Sequence, residues 1–244
     1  ITAEKVAQQW KVSRAAQDQF ATGSHRKALA GIDQGEFADE IAPYEIDEKL
    51  PDLASHDVRH ETRVASVDEG PRPGTTPEVL AKLKPAFAAK GSVTAGNSSQ
   101  TSDGAGAVII VSEAALKRFD LRPLARMLCF VVAGVPSEIM GIGPKVAIPK
   151  VLKQVGLKQD DLDWIELNEA FAAQSLAVIQ DLGLDPAKIN PLGGAIALGH
   201  PLGATGAVRT ATVVHGLRRR GQKYGMVTMC VGTGMGAAGV FERL

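Results

Sequence analysis

Residues 225–242 read GMVTMCVGTGMGAAGVFE, two apolar runs joined by a glycine-rich turn. The pattern predicts strands at 225–230 and 237–242 with a tight turn between them. The glycines from Gly234 to Gly239 also match G-x-G-x-x-G, the spacing of a dinucleotide-binding loop. That motif needs a helix directly after the glycines, whereas the residues from Val240 onward have a strand pattern. We therefore interpret the glycines as a turn between two strands.

Strands and helices alternate upstream of this pair. The predicted elements are strands at 105–111, 125–134 and 163–167 and helices at 113–119, 143–155, 169–182 and 203–220. Strands interleaved with helices indicate an α/β protein with a central, largely buried sheet.

The first third of the chain has a different pattern. Residues 1–30 have helical periodicity, 37–47 and 61–67 resemble short strands around a polar stretch, and a short helix is expected near 78–88. No long buried strand is predicted there. We interpret this third as a segment that packs on the surface of a core formed by the rest of the chain.

The composition excludes several classes of protein. Lys+Arg and Asp+Glu both number 27, so there is no strongly basic footprint for nucleic acid. No apolar run reaches the roughly 18 residues of a membrane span. Two cysteines form no disulfide framework, so we expect a reducing compartment, with the cytoplasm as the default and a mitochondrial or peroxisomal location left open. Because Ile1 stands where an initiating Met is usual, we expect the chain to be a piece made by cleavage or division.

Two short sequence motifs contain candidate catalytic residues. His200 lies among glycines in residues 193–204, and Cys230 ends an apolar strand just before the glycine turn. Glycines allow a ligand or another loop to approach closely. The helix expected after Gly203 would offer free amides and positive potential near the imidazole. A thiol and an imidazole on such turns suit acyl-thioester chemistry.

Asn168 stands where a predicted strand meets a predicted helix. Ligand sites of α/β proteins form at such junctions, although an asparagine there could also act as a helix N-cap. Cys129, in the apolar run 127–132, is interpreted as a small hydrophobic core residue.

Five stretches in order resemble the thiolase family, the acyl-CoA:acetyl-CoA acyltransferases. They are VTAGNSS at 93–99, MGIGP at 140–144, NEAF at 168–171, GHPLG at 199–203 and CVGTGMG at 230–236. The resemblance covers essentially the whole chain.

The resemblance implies a layered αβαβα fold made of two similar halves, with a loop domain inserted in the first half. Residues 1–102 would then be part of the loop domain. Residues 103–122 would be the closing strand and helix of the first half, and residues 123–244 the complete second half.

The resemblance also implies roles for individual residues. His200 would activate the nucleophilic cysteine and bind the thioester oxygen. Asn168 would hold a water that completes this oxyanion site. Cys230 would be the acid/base cysteine, expected to have a pKa near neutral, and the Gly232 amide would serve a second oxyanion hole. Residues expected to contact coenzyme A or line the substrate pocket are Arg72, Ser99, Met140, Ala170 and Phe171.

One departure from the family is large. The acylated nucleophile of thiolases lies in a Cys-Ser-Ser/Ala-Gly type box, and no such box occurs in residues 1–244. Thr233, where many members have glycine, is a smaller departure.

We therefore expect the C-terminal part of a thiolase that cleaves 3-ketoacyl-CoA with CoA. This chain alone would be inactive, and its partner would be the N-terminal segment that carries the nucleophile. Coenzyme A would be a substrate, with no permanently bound cofactor and no metal. A homo-oligomer of completed subunits is expected. The alternatives are an acetoacetyl-CoA thiolase and a non-catalytic acyl-CoA-binding or scaffold subunit.

Overall fold

The computed structural model describes residues 1–244, which form eight α-helices and six strands. The helices are α1 (Thr2–Gln9), α2 (Arg14–Asp33), α3 (Pro77–Ala81), α4 (Glu113–Phe119), α5 (Gly143–Val155), α6 (Ala172–Leu182), α7 (Ala195–Leu198) and α8 (Thr205–Arg219). The strands are β1 (Tyr44–Asp52), β2 (Asp57–Ala65), β3 (Ala125–Gly134), β4 (Trp164–Leu167), β5 (Tyr224–Val231) and β6 (Met235–Arg243). None of the helices combines the length and the hydropathy needed to cross a membrane.

The core of the molecule is a four-stranded mixed sheet in the order β3-β6-β5-β4. β6 is antiparallel to both of its neighbours, and β5 is parallel to β4. β5 and β6 form the hairpin that residues 225–242 predict, with a turn over 232–234. The predicted α/β class is therefore confirmed.

Helices cover both faces of the sheet. Ile148 and Val151 of α5 and Val178 of α6 pack with alternate strand residues such as Ile165 on one face. Val213 and Leu217 of α8 pack on the other face, against residues that include Trp164 and Val227. Adjacent residues of a strand point to opposite faces, so β4 is buried on both sides. The result is a three-layer α/β/α unit.

The first third of the chain differs partly from the prediction. The helical region at 1–30 is divided into α1 and α2, and Oγ of Ser13 caps the start of α2. The strands expected at 37–47 and 61–67 lie instead at 44–52 and 57–65, where they pair with each other in a two-stranded hairpin. The predicted boundaries were wrong because backbone hydrogen bonds and charged side-chain pairs hold this hairpin together. Such a hairpin has little alternation of apolar residues from which its ends could be predicted.

The strand predicted at 105–111 does not form. These residues pair with no other strand, and Ile109 and Ile110 are 89% and 78% exposed. The helix predicted after them is present as α4. An apolar run becomes a buried strand only where a neighbouring strand pairs with it, and residues 105–111 have no such neighbour. The outer edge of β3 is likewise unpaired. Met127, Phe130 and Val132 of β3 are each more than half exposed.

Candidate functional site

Asn168 follows the last residue of β4 and is almost completely buried. Its backbone N–H donates to the Thr228 carbonyl of β5 at 2.9 Å, and its own carbonyl accepts from Nε2 of Gln174 at 3.2 Å. α6 begins at Ala172 with Phe171 as its N-cap. Asn168 therefore does not cap the helix, and its side chain is directed elsewhere.

That side chain meets the imidazole of His200. The two atoms Asn168 Nδ2 and His200 Nε2 are 3.3 Å apart, and His200 Nδ1 lies 2.6 Å from Oγ1 of Thr205. Oδ1 of Asn168 is buried and has no hydrogen-bond partner. Burial lowers the pKa of His200, and the nearby Arg209 guanidinium lowers it further. The imidazole is therefore favoured in its neutral form, as a base requires.

The loop that leads to His200 is held by the buried carboxylate of Glu169. Its Oε2 accepts from Oγ of Ser24 at 2.6 Å and from the Ile196 amide at 3.2 Å, while its Oε1 accepts from Nδ2 of Asn190 at 2.7 Å. A Cβ on Gly194 would collide with this carboxylate. Glu169 therefore requires the glycine and fixes the path of α7.

Asn190 extends the sheet beyond β4 with its side chain. Its amide group donates to the carbonyl and accepts from the N–H of Leu167, both at 2.8 Å. A single side chain thus satisfies both backbone groups at the end of β4. These two hydrogen bonds fix the backbone position of Leu167 and hence of the neighbouring Asn168.

Cys230 is the penultimate residue of β5. β4 and β5 run parallel, and Leu167 pairs with Thr228, so Cys230 and Asn168 both lie at the carboxyl ends of these strands. Cys230 is buried, and burial raises the pKa of its thiol to about 11. The expectation of a pKa near neutral was wrong because no cation or imidazole hydrogen bond stabilises the thiolate in this structure.

The turn after Cys230 exposes backbone. Gly232 is exposed, and its amide donates no hydrogen bond within the chain. Thr233 and Gly234 have φ values of 71° and 101°. The amide of Gly232 is thus available to an acceptor outside the chain.

Gln100, which was not predicted to have a role, connects three segments around His200. Its Nε2 lies within hydrogen-bond distance of the carbonyls of Gly70, Ile196 and Ala197, at 3.1, 3.3 and 2.9 Å. Two residues after Gly70, the Arg72 amide donates to Nδ1 of the buried His25 at 3.1 Å. The Arg72 side chain is exposed. Gln100 thus places the loop that carries Arg72 beside the loop that carries His200.

Ser99, Ala170 and Phe171 also come together. The Ser99 amide donates to the Ala170 carbonyl at 3.0 Å, and Ser98 forms a β-bridge with Phe171. The ring of Phe171 meets that of Phe87 edge-on, with centroids 6.0 Å apart. The two sequence boxes at 93–99 and 168–171 are therefore in direct contact.

Met140 lies in a short 3₁₀ segment, Ser137–Ile142, that packs against α1 and α6. The glycines next to it have a packing reason. A Cβ on Gly143 would meet the backbone of Met235 and Gly236, and a Cβ on Gly236 would meet Gly143. The start of α5 therefore lies directly on β6.

The residues that position the site were harder to predict than the residues that form it. Glu169 reads in the sequence as an ordinary acidic residue at a helix start, and Thr205 as an ordinary first helical residue. Gln100 and Asn190 lie in loop sequences. Their partners are distant in the sequence, so no local pattern marks them.

Comparison with known proteins agrees with the five boxes. The family model described as "Thiolase, C-terminal domain" matches residues 121–243, and "Thiolase, N-terminal domain" matches residues 1–114. The chain belongs to the thiolase family. It matches both thiolase domains, not the C-terminal one alone.

The similar proteins include a 3-ketoacyl-CoA thiolase of Bacillus subtilis, 50% identical over 242 residues that make up 99% of this chain and 61% of that protein. A crystal structure of the Bacillus anthracis acetyl-CoA acetyltransferase has a TM-score of 0.94 at 46% identity, over all of this chain and 59% of that one. The human mitochondrial 3-ketoacyl-CoA thiolase in complex with CoA has a TM-score of 0.91 at 46% identity, over all of this chain and 58% of that one. The chain thus spans about three-fifths of the length of these relatives, and its fold is that of the thiolases.

Proposed function

We propose that this chain is the part of a 3-ketoacyl-CoA thiolase that stabilises the thioester oxyanion and moves protons. In the reaction, CoA cleaves a 3-ketoacyl-CoA to acetyl-CoA and a shortened acyl-CoA. The observation that carries the proposal is the contact of Asn168 with His200 at the carboxyl end of β4, beside the strand end that bears Cys230. The similarity to thiolases supports it.

His200 and Asn168 would form the first oxyanion site. Claisen chemistry develops negative charge on a thioester oxygen, and preorganised donors lower that barrier. The unpartnered Oδ1 of Asn168 is a buried acceptor that a water molecule would satisfy. That water would then direct its other proton to the oxyanion. Nε2 of His200 would first take the proton of the nucleophilic thiol.

Cys230 would act as an acid and not as the nucleophile. With a pKa of about 11 the thiol is protonated at neutral pH, so it can deliver a proton to the substrate α-carbon or to the leaving sulfur. The reverse step needs the thiolate, so a group that lowers this pKa would have to come from the segment that carries the nucleophile. The free amide of Gly232 would donate to the second oxyanion.

The outer parts of the site would bind coenzyme A and the acyl chain. The exposed side chain of Arg72 suits a phosphate of coenzyme A. Ser99, whose backbone amide donates to the Ala170 carbonyl, would also contact coenzyme A. Ala170, Phe171 and Met140 would line the acyl pocket. Coenzyme A would enter as a substrate, with no resident cofactor.

The nucleophilic cysteine would come from outside residues 1–244. Cys129 lies in β3 at the far edge of the sheet and directs its thiol to Oε1 of Gln154 at 3.0 Å. The open, apolar edge at β3 and residues 105–111 would be covered by the segment that carries the nucleophile. We refer to this chain together with that segment as the completed subunit. Residues 1–102, 103–122 and 123–244 would then serve as loop-domain part, closing elements of the first half, and second half.

The test is an assay of two preparations with acetoacetyl-CoA and with a longer 3-ketoacyl-CoA. We expect the completed subunit to cleave both and the 244-residue chain alone to cleave neither. Turnover by the chain alone would make Cys230 the nucleophile. A strict preference for acetoacetyl-CoA would favour the acetoacetyl-CoA enzyme, as the likeness to an acetyl-CoA acetyltransferase suggests. CoA binding without turnover by the completed subunit would favour a non-catalytic subunit.

Replacing Cys230 by Ser separates the two half-reactions. A hydroxyl is too weakly acidic to exchange protons at pH 7, so we expect acylation of the nucleophile by acetyl-CoA to remain partly intact and the carbon–carbon step to be impaired. Trapping the acyl-enzyme with acetyl-CoA measures the first step. A Cys230→Ser protein that cannot be acylated would contradict this division of roles.

Assembly and location are part of the same proposal. We expect completed subunits to associate as a homo-oligomer, which native mass spectrometry measures. Both cysteines are free thiols, which is consistent with a reducing compartment such as the cytoplasm. Microscopy of the tagged full-length protein distinguishes the cytoplasm from an organelle.

A further inference from the structure

The imidazole of His200 is held between two partners of different kinds. Nδ1 faces the Thr205 hydroxyl at 2.6 Å, and Nε2 faces the Asn168 amide at 3.3 Å. A neutral imidazole carries one proton, so one ring nitrogen donates a hydrogen bond and the other accepts one. The partners decide which nitrogen does which.

Asn168 cannot decide this by itself. Its amide group offers a donor and an acceptor, and Oδ1 is buried without a hydrogen-bond partner. A half-turn of the amide would place Oδ1 toward Nε2 and would accommodate a proton there equally well. Asn168 is therefore compatible with both tautomers of His200.

Thr205 has only one proton to donate, and a carbonyl one helical turn back takes it. Its Oγ1 lies 2.9 Å from the Pro201 carbonyl, the back-bond common for threonine in a helix. The side chain is buried and β-branched, so its hydroxyl has little rotational freedom. What remains for His200 is a lone pair, which Nδ1–H can reach.

We propose that Thr205 is a positioning residue that keeps the proton of His200 on Nδ1 and leaves the lone pair on Nε2. A relay runs from Nδ1–H to Thr205 Oγ1 and from Thr205 Oγ1–H to the Pro201 carbonyl. The inference rests on the proposed function, in which Nε2 takes the proton of the nucleophilic thiol. With the other tautomer, Nε2 would already carry a proton and could not act as a base.

A hydroxyl in this place has a consequence that a carboxylate would not have. A carboxylate at Nδ1 would favour the charged imidazolium and so strengthen the base. The neutral hydroxyl orients the ring without adding a negative charge, and the pKa of His200 stays lowered by burial and by Arg209. The lowered pKa makes the imidazolium a stronger acid, so His200 releases the proton easily after accepting it, which a reversible reaction requires.

The test compares wild type with Thr205→Ser and Thr205→Val in the completed subunit, labelled with ¹⁵N at histidine. Long-range ¹H–¹⁵N spectra distinguish a protonated from a bare ring nitrogen, and removal of His200 assigns its signals among those of all the histidines. We expect Nδ1–H and bare Nε2 in wild type and in the serine variant. In the valine variant, which keeps the shape but lacks the acceptor, we expect a shift toward Nε2–H. The rate of acylation should then fall by about a hundredfold, the scale of lost general-base assistance, and serine should restore it.

Several results would overturn the inference. One is Nε2–H in wild type, which is measurable even if every variant misfolds. Another is an unchanged tautomer in the valine variant, whatever its activity. If the completed subunit shows the expected tautomers but no thiolase activity, the proposed function fails and the role of Thr205 in setting the tautomer stands.

Discussion

The two edges of the central sheet are built in opposite ways. At the β4 edge, Asn190 completes the backbone pairing of Leu167, Glu169 holds the neighbouring loop, and the polar groups lie buried. At the β3 edge no strand follows, and Met127, Phe130 and Val132 expose apolar side chains. The β4 edge is therefore stabilised by side chains of this chain itself. The β3 edge has the character of a surface that another element covers. Changes at the β4 edge should damage chemistry, and changes at the β3 edge should damage association.

Removal of the imidazole at the β4 edge should have the largest effect. We expect His200→Ala to lower turnover of the completed subunit by about a thousandfold or more, because in the proposed function one group serves as base and as oxyanion donor. Both half-reactions should suffer, as measured by acyl-enzyme trapping and by cleavage of acetoacetyl-CoA. His215 is exposed to solvent in part and lies on α8, away from this contact, so His215→Ala is the matched control. Normal acylation in the His200 variant would contradict its role.

Changing the amide of Asn168 to a carboxylate should have the next largest effect. Asn168→Asp places negative charge beside the developing oxyanion, so we expect turnover to fall by about a hundredfold, the scale of one lost oxyanion donor. Because Phe171 and not Asn168 is the N-cap of α6, the loss cannot be ascribed to capping. Thermal melting should show a folded protein with a modestly lower Tm. Full activity in this variant would exclude the water-holding role.

A charge on the β3 edge should act on association alone. We expect Phe130→Asp to weaken binding of the nucleophile-bearing segment by about ten- to a hundredfold, because burial of a phenylalanine contributes about 1.5–3 kcal/mol. The melting temperature of the chain alone should change little, since Phe130 is 58% exposed. Val79→Asp is the control, because Val79 is also exposed but lies in the first turn of α3, where acidic residues are tolerated. Equal binding by both variants would exclude the β3 edge as the covered surface.

The same contrast explains which features the sequence could predict. α5 has the predicted boundaries 143–155 because its apolar periodicity reflects packing against this chain's own core. β3 has the predicted boundaries 125–134 although only Val131 of it is buried, and its backbone pairs with β6 along this length. The run at 105–111 has the pattern of a buried strand but no partner within the described chain. His200 and Cys230 were identified from glycine context, Asn168 from its place at a predicted strand–helix junction, and all three from the motifs shared with the family. The contacts of Glu169, Asn190 and Thr205 follow from how distant loops meet, which local patterns do not encode. The raised pKa of Cys230 likewise depends on burial that only the fold reveals.

The pH dependence of acylation should report the environment of His200. In the proposed function the active form is the neutral imidazole, and protonation removes it as pH falls through its pKa. Because burial and Arg209 lower this pKa from 6.5, the acid limb of kcat/KM for acylation should lie below pH 6.5. Replacing Arg209 and its buried partner Glu166 together by Gln removes the cation without leaving a buried carboxylate alone, and should move the limb upward. An acid limb above pH 6.5 in wild type would contradict the neutral, buried imidazole.

The smallest expected effect lies in the turn between β5 and β6. Thr233 has a φ of 71°, and the left-handed region costs a residue with a Cβ about 1–2 kcal/mol. Thr233→Gly removes that cost but adds about 0.5–1 kcal/mol of unfolded-chain entropy. The net gain in the free energy of unfolding should therefore be about 1 kcal/mol or less, measured by urea denaturation. Lys11, with a φ of 54°, provides the comparison, because Lys11→Gly relieves the same conformation without β-branching and should stabilise less. A loss of stability in Thr233→Gly would mean that the hydroxyl contact with the Gly232 carbonyl outweighs the backbone strain.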